Sequence, residues 1–174
     1  MSERIVEVKI TGLAMDDRTK SPVVILKETD GERVLPIWIG ENEAKAIALE
    51  LAGKKFARPL THDLMMAIIE GLHARVERVV ISELKENTFY AVVLIQRDSE
   101  FASIDARPSD SIALALRAKA AIFVADELLV QEGAQSEEAG ATPAPQPMTE
   151  EQKAAELRRY LESLKPEDFG KFNP

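Results

Sequence analysis

Polarity along the chain alternates with two different periods. Val6, Val8 and Ile10 alternate with Glu7, Lys9 and Thr11, the period-two pattern of a strand with one buried face. Residues 12–20 read as a loop, and Pro22 to Leu26 as a second, more buried strand. Val34 to Ile39 is a third strand, reached through Asp30-Gly31, a pair that favours a tight hairpin turn. Pro36 cannot donate to a ladder, so this strand belongs at an edge or carries a bulge. From Glu41 to Ala52 the period becomes helical, with Ala44, Ile47, Ala48 and Leu51 on one stripe and Gly53 as terminator. A basic connector, Lys54 to Arg58, leads to a second helix whose expected N-cap is Thr61. Leu64, Met65, Ile68, Ile69 and Leu72 are expected to face inward from it. Residues 74–84 and 89–95 then read as strands around a hairpin at Lys85–Thr88, and 100–106 as a further strand.

The segment from Ile104 to Leu116 is where strand becomes helix. Pro108 fits a first helical turn, where its missing N–H costs nothing. Ser109 and Asp110 offer an acceptor and a negative charge to the free N–H groups behind it, so Ser109 is expected to cap the helix, as Thr61 caps the earlier one. Ile112 to Leu116 is apolar on nearly every side, which predicts a buried helix. Residues 121–124 form a last short strand and 126–130 a terminal helical turn. Elements grouped in blocks predict an α+β fold, with a compact mixed or antiparallel sheet and three main helices. Composition changes at Gln131, and residues 131–148 have almost nothing to bury, which predicts a flexible linker. Residues 149–174 open on a capping box at Thr149–Gln152 and continue as a helix with Ala154, Leu157, Leu161 and Leu164 on one stripe. Too short to be stable alone, that helix is expected to dock on its own domain or on a neighbouring subunit, with Phe169 and Phe172 as end anchors. The expected organisation is thus a domain over 1–130, a linker over 131–148 and a C-terminal helix and tail over 149–174.

Charge narrows the function. The chain carries 22 basic and 30 acidic side chains, a formal −8. Residues 1–130 hold 17 and 21 of these and residues 131–174 hold 5 and 9, so each part is net −4. Neither has the basic excess that drives general nucleic-acid binding by phosphate neutralisation, so any such contact must be local or metal-assisted. No cysteine is present, which rules out thiolate metal sites and a cysteine nucleophile. No window reaches membrane-span length and the N-terminus lacks a signal-peptide layout, so a cytoplasmic protein is expected.

Two stretches share a layout: Arg58-Pro59 and Arg107-Pro108 each precede a hydroxyl residue, an aspartate and an apolar helix. His62, beside Asp63 in a first helical turn, suits proton transfer or metal ligation; the alternative is an ordinary hydrogen-bonded histidine. Glu43, Asp63, Asp105 and Asp110 would together suit a hard cation such as Mg²⁺ or Mn²⁺, although their spacing is no metal motif. Arg58 and Arg107 could clamp a phosphate, or simply pair with these acids. There is no P-loop, dinucleotide fingerprint, zinc motif or nucleophile elbow.

Pro36-Ile-Trp-Ile-Gly40 with Glu43-Ala44, then Arg58-Pro-Leu-Thr-His-Asp63, then Ile104-Asp-Ala-Arg-Pro-Ser-Asp110 make the chain similar to the bifunctional nuclease domain family. All three blocks stand in the family's order, and the resemblance spans roughly residues 5–130. The ending Lys165–Phe169 also resembles the tails of some bacterial members. The resemblance implies a compact α+β domain that forms homodimers, and an activity reported for plant members, nuclease action on both RNA and DNA. The matching blocks select Glu43, Arg58, His62, Asp63, Asp105, Arg107, Ser109 and Asp110. The expected roles are proton transfer and catalysis for His62, Asp105 and Arg107, and phosphate binding for Arg58 and Arg107. Asp63, Asp105, Asp110 and Glu43 would hold Mg²⁺ or Mn²⁺. The alternative is a non-enzymatic, homo-oligomeric binding or regulatory module in which this polar corner is structural.

Overall fold

Alternating and continuous apolar runs build one eight-stranded sheet. A computed structural model of the chain describes residues 4–131, 155, 157–159 and 162. The strands are β1 (Ile5–Met15), β2 (Pro22–Glu28), β3 (Arg33–Trp38), β4 (Ala74–Lys85), β5 (Thr88–Arg97), β6 (Glu100–Ala106), β7 (Ala121–Ala125) and β8 (Val130–Gln131). Their order across the sheet is β6-β5-β4-β7-β1-β2-β3-β8. Every neighbour is antiparallel except β4 and β7, whose parallel pairing requires a crossover. That crossover contains helix α3 (Pro108–Ala118), which lies with α1 (Glu41–Leu51) and α2 (Thr61–Gly71) among the elements packed on the sheet. The expected α+β class and the three main helices are therefore what the chain forms.

The core lies between helices and sheet. Val79, Val93 and Val124 from the strands meet Ile47, Ala48, Ile112 and Ala113 from α1 and α3, all buried. At roughly 1.5–3 kcal/mol for each large apolar side chain removed from water, this layer supplies the main driving force for folding. Tight turns take the residues their geometry demands. Glu86 and Asn87 both have positive φ in the two-residue turn between β4 and β5, as a hairpin matching strand twist requires. Gly53 takes φ +64° just after α1.

Three expectations need correcting. Residues 12–20 are not all loop: β1 continues to Met15 through a bulge between Ile10 and Gly12, because the apolar residues Leu13 and Ala14 pair with Val24 and Val23. The true loop begins at buried Asp16, whose Oδ1 accepts from the N–H groups of Arg18 and Thr19 and whose Oδ2 accepts from Trp38 Nε1 at 2.8 Å. The segment after β7 is a single 3-10 turn, Asp126–Leu128, followed by β8 on Arg33 and Val34 of β3. Because β8 reaches only those two residues, Pro36 lies where β3 is an edge. The third correction concerns α2, none of whose residues is fully buried. Met66 and Ile69 touch the core, whereas Leu64, Met65, Ile68 and Leu72 are exposed.

Of the C-terminal helix, residues 155, 157–159 and 162 are helical, and Leu157 is half-buried against the core. The remaining linker residues 132–148, the capping box at 149–152, Ala154, Leu161, Leu164, Phe169 and Phe172 lie outside the described residues.

Candidate functional site

The three helices begin in the same way. Each carries an acid at its third position: Glu43 in α1, Asp63 in α2 and Asp110 in α3. An acid there complements the partial positive charge of the helix start, so local chemistry explains all three. In α2 the bond is explicit, since the Leu60 N–H donates to Asp63 Oδ2 at 2.9 Å. The N-cap positions fall on Leu60 and Arg107, and neither makes a side-chain cap bond. Thr61 and Ser109 therefore sit inside their helices rather than capping them, because each aspartate is placed to serve the free N–H groups. Gly40, the α1 N-cap, has no Cβ, and the Glu43 carboxylate occupies the space a Cβ would need.

Packing of α1 and α2 against α3 brings these starts together, and two arginines join them. The Arg107 Nε–H donates to Asp110 Oδ2 at 2.8 Å, and its terminal nitrogen lies 2.8 Å from Glu43 Oε1. His62 Nε2 lies 3.0 Å from the other Asp110 oxygen. Partial burial pushes the Asp110 carboxyl up, but hydrogen bonds from Arg107 and His62 outweigh it and hold the group below the usual carboxylate range. An ionised carboxylate only accepts, so the proton shared with His62 sits on Nε2, which leaves Nδ1 as an acceptor. The Asp110 hydrogen bond in turn raises Arg107 above the ordinary guanidinium range.

The second arginine is Arg117. Its side chain is only 6% exposed, and its Nε–H donates to Asp63 Oδ1 at 2.7 Å. The remaining donors reach the carbonyls of Ala46 and Ala113, so Arg117 ties all three helices together. Burial raises the Asp63 carboxyl, but Arg117 and the Leu60 N–H outweigh it and hold it low. Depressed carboxyls contribute stability that is present above the ordinary unfolded value, about 4, and lost as pH falls through the folded one. The melting temperature should therefore hold from pH 7 to about 5 and fall below about pH 4. In Asp110→Asn the fall should be shallower, as differential scanning calorimetry across this range would show; an identical slope would contradict the assignment.

A groove of about 1140 Å³ opens beside this network. Val93, Ile95 and Ile104 line it from the sheet and Met65, Ile68 and Ile69 from α2. Glu43, His62, Arg107, Asp110 and Arg117 line its polar end, with buried Lys45 alongside. Two expected site residues stand apart. Asp105 pairs with Val92 on β5, so its side chain shares the sheet face opposite Val93 and Ile104, and it has no ion pair among the described residues. Arg58 is exposed and does not line the groove. The expected metal set is not assembled either. Asp63 is held by Arg117, Asp110 by Arg107 and His62, Glu43 by Arg107, and Asp105 is on the other face. Among the described residues no group of three or more His, Asp and Glu side chains is placed to hold a cation. These donors do not fit a resident Mg²⁺ or Mn²⁺.

Two residues of this site, Arg117 and Lys45, were not singled out from the sequence. Arg117 follows Asp110 by seven residues, two helical turns, so it lies on the same face of α3. That spacing was its only sequence signal.

Comparison with known proteins fits this geometry. A family profile described as the bifunctional nuclease domain matches residues 24–137. An uncharacterised protein of Mycobacterium tuberculosis is 39% identical over 167 residues, covering 94% of this chain and 97% of that one. A protein of Arabidopsis thaliana named Bifunctional nuclease 1 is 28% identical over 137 residues, which is 75% of this chain but 42% of the plant protein. One from japonica rice named Bifunctional nuclease 2 is 26% identical over 139 residues, 78% and 43% of the two chains. With the profile covering most of the sheet and all three helix starts, the chain belongs to the bifunctional nuclease domain family.

Proposed function

We propose that this chain is a nuclease that cleaves phosphodiester bonds of RNA, DNA or both, with the reacting phosphate at the polar end of the groove. The observation that carries the reading is the His62–Asp110 pair, 3.0 Å apart, on a groove that Arg107 also lines. His62 Nδ1 accepts a proton from the attacking water or ribose hydroxyl. The attacking oxygen forms the new P–O bond as the bond to the leaving oxygen breaks, and the imidazolium returns its proton to that oxygen. Asp110 stabilises the imidazolium, and Arg107, whose side chain is two-thirds exposed, turns its remaining donors to the phosphate oxygens. Local arginines thus offset the acidic balance of the chain. No step is assigned to Mg²⁺ or Mn²⁺, to Arg58 or to Asp105.

The test is cleavage of labelled single-stranded RNA and DNA by purified protein, with EDTA and with each cation added. His62→Ala should lose about 10²-fold in rate, whereas Asp105→Asn should match the wild type. If wild type and His62→Ala cleave at the same trace rate, contamination explains the activity and the reading fails. The mostly apolar lining of the groove favours a second reading in that event, a binding module for an apolar ligand or partner.

A further inference from the structure

The most apolar helix of the domain is also its least buried. Helices α1 and α3 contribute five and seven buried residues to the core, and α2 contributes none. Leu64, Met65, Ile68 and Leu72 lie between 38% and 61% exposed. Across the groove, β6 is exposed at every position but Ala106 and carries Phe101 and Ile104 within the same range. Met65, Ile68 and Ile104 all line the groove, so the two apolar surfaces share one rim. Six large side chains so exposed present on the order of 500 Å² of apolar surface, at the upper end of what monomers expose.

β6 is also an open edge. It is the first strand in the sheet order, pairs only with β5, and shows no bulge along that pairing. Natural edges are usually blunted by lysine, proline or a bulge. The strand Glu-Phe-Ala-Ser-Ile-Asp-Ala, residues 100–106, has none of these.

We propose that β6 and the outer face of α2 bind a second copy of this chain, with the two β6 strands antiparallel about a two-fold axis at Ser103. Charge selects this occupant. In that register Phe101 faces Asp105 of the other copy, Ala102 faces Ile104, and Glu100 faces Ala106, so no two acids oppose each other on chains that are each net −8. An edge strand that pairs with itself antiparallel is the isologous contact that closed dimers use. The apolar area approaches the roughly 800 Å² per partner of a stable interface, and the paired strands add to it. Both helix layers then lie on the same side of a continuous sheet, and α2 of each copy overhangs the other. The apolar rim of each groove is completed by Ile104 and α2 of the second copy, and the groove is open along that side without it. The interface itself does not depend on the nuclease reading.

The chain has no cysteine, so Ser103→Cys introduces a single thiol at the axis. Under mild oxidant the full chain should run as a covalent dimer on a non-reducing gel, whereas Thr88→Cys, at the far end of β5, should stay monomeric. In sedimentation velocity the wild type should be dimeric, and Ile104→Lys and Ile68→Lys should shift it to monomer with native circular dichroism. A wild type that is monomeric at all concentrations overturns the proposal. So does a dimer that neither crosslinks at position 103 nor responds to either lysine. These readouts are independent of cleavage, so failure of the interface and failure of the nuclease reading are separable.

Discussion

Replacing Arg117 by methionine should destabilise the domain by about 3 kcal/mol, lowering its melting temperature by roughly 6–12 °C. The side chain is buried and forms the bond to Asp63 that joins α2 to α3. Methionine keeps much of the volume but leaves Asp63 without its cation and the Ala46 and Ala113 carbonyls without their donor. Removing one partner of a buried pair typically costs 3–5 kcal/mol, and the low end applies because the Asp63 side chain is 34% exposed and regains water. Lysine should not rescue the loss, since one ammonium cannot reproduce a fork that reaches an acid and two carbonyls. Chemical denaturation of wild type, Arg117→Met and Arg117→Lys provides the measurement. An Arg117→Met variant within 1 kcal/mol of wild type would show that the bridge is dispensable.

On the nuclease reading, Asp110→Asn should lower the turnover rate by about 10²–10³-fold with little change in KM. An amide has no charge to stabilise an imidazolium, and it can present its NH₂ to His62, which favours the tautomer with the proton on Nδ1. Either effect removes the base. Because Arg107 also loses a partner, the variant separates the two roles: a loss in kcat points to His62, and a loss confined to KM points to phosphate binding by Arg107. The pH profile adds a further readout. Wild-type rate should rise as the histidine deprotonates, and Asp110→Asn should move that limb to lower pH because the imidazolium has lost its counter-ion. An unshifted limb with full activity would remove Asp110 from the mechanism.

Local rules reach a long way here because most elements are decided by their own residues. The helix starts at Glu43, Asp63 and Asp110, the turn at Gly53 and the strand alternation around Val8 follow from capping charge, backbone freedom and pleat geometry, which act over a few residues. Even so, α2 shows the limit. Its apolar stripe reads as a core helix, yet half of that stripe faces outward, since periodicity reports that a face needs covering and not what covers it.

The site divides along the same line. His62, Asp63, Asp110, Arg107 and Glu43 stood out in the sequence as chemistry-bearing residues near helix starts. Their mutual contacts did not, because the His62–Asp110 bond spans 48 positions and the Asp63–Arg117 bond spans 54. Asp105 looked as well placed as Arg107, two residues on in an alternating strand. The chain leaves the strand at Ala106, however, so Arg107 turns with the helix start toward Glu43 while Asp105 keeps the register of Val92. By itself the sequence determined the family, the α+β elements and the acids at the helix starts, all written in short-range pattern. Only the tertiary structure decided which acids are neutralised by arginine, that they form no metal cluster, and which apolar surfaces stay open, because each depends on the packing of distant segments.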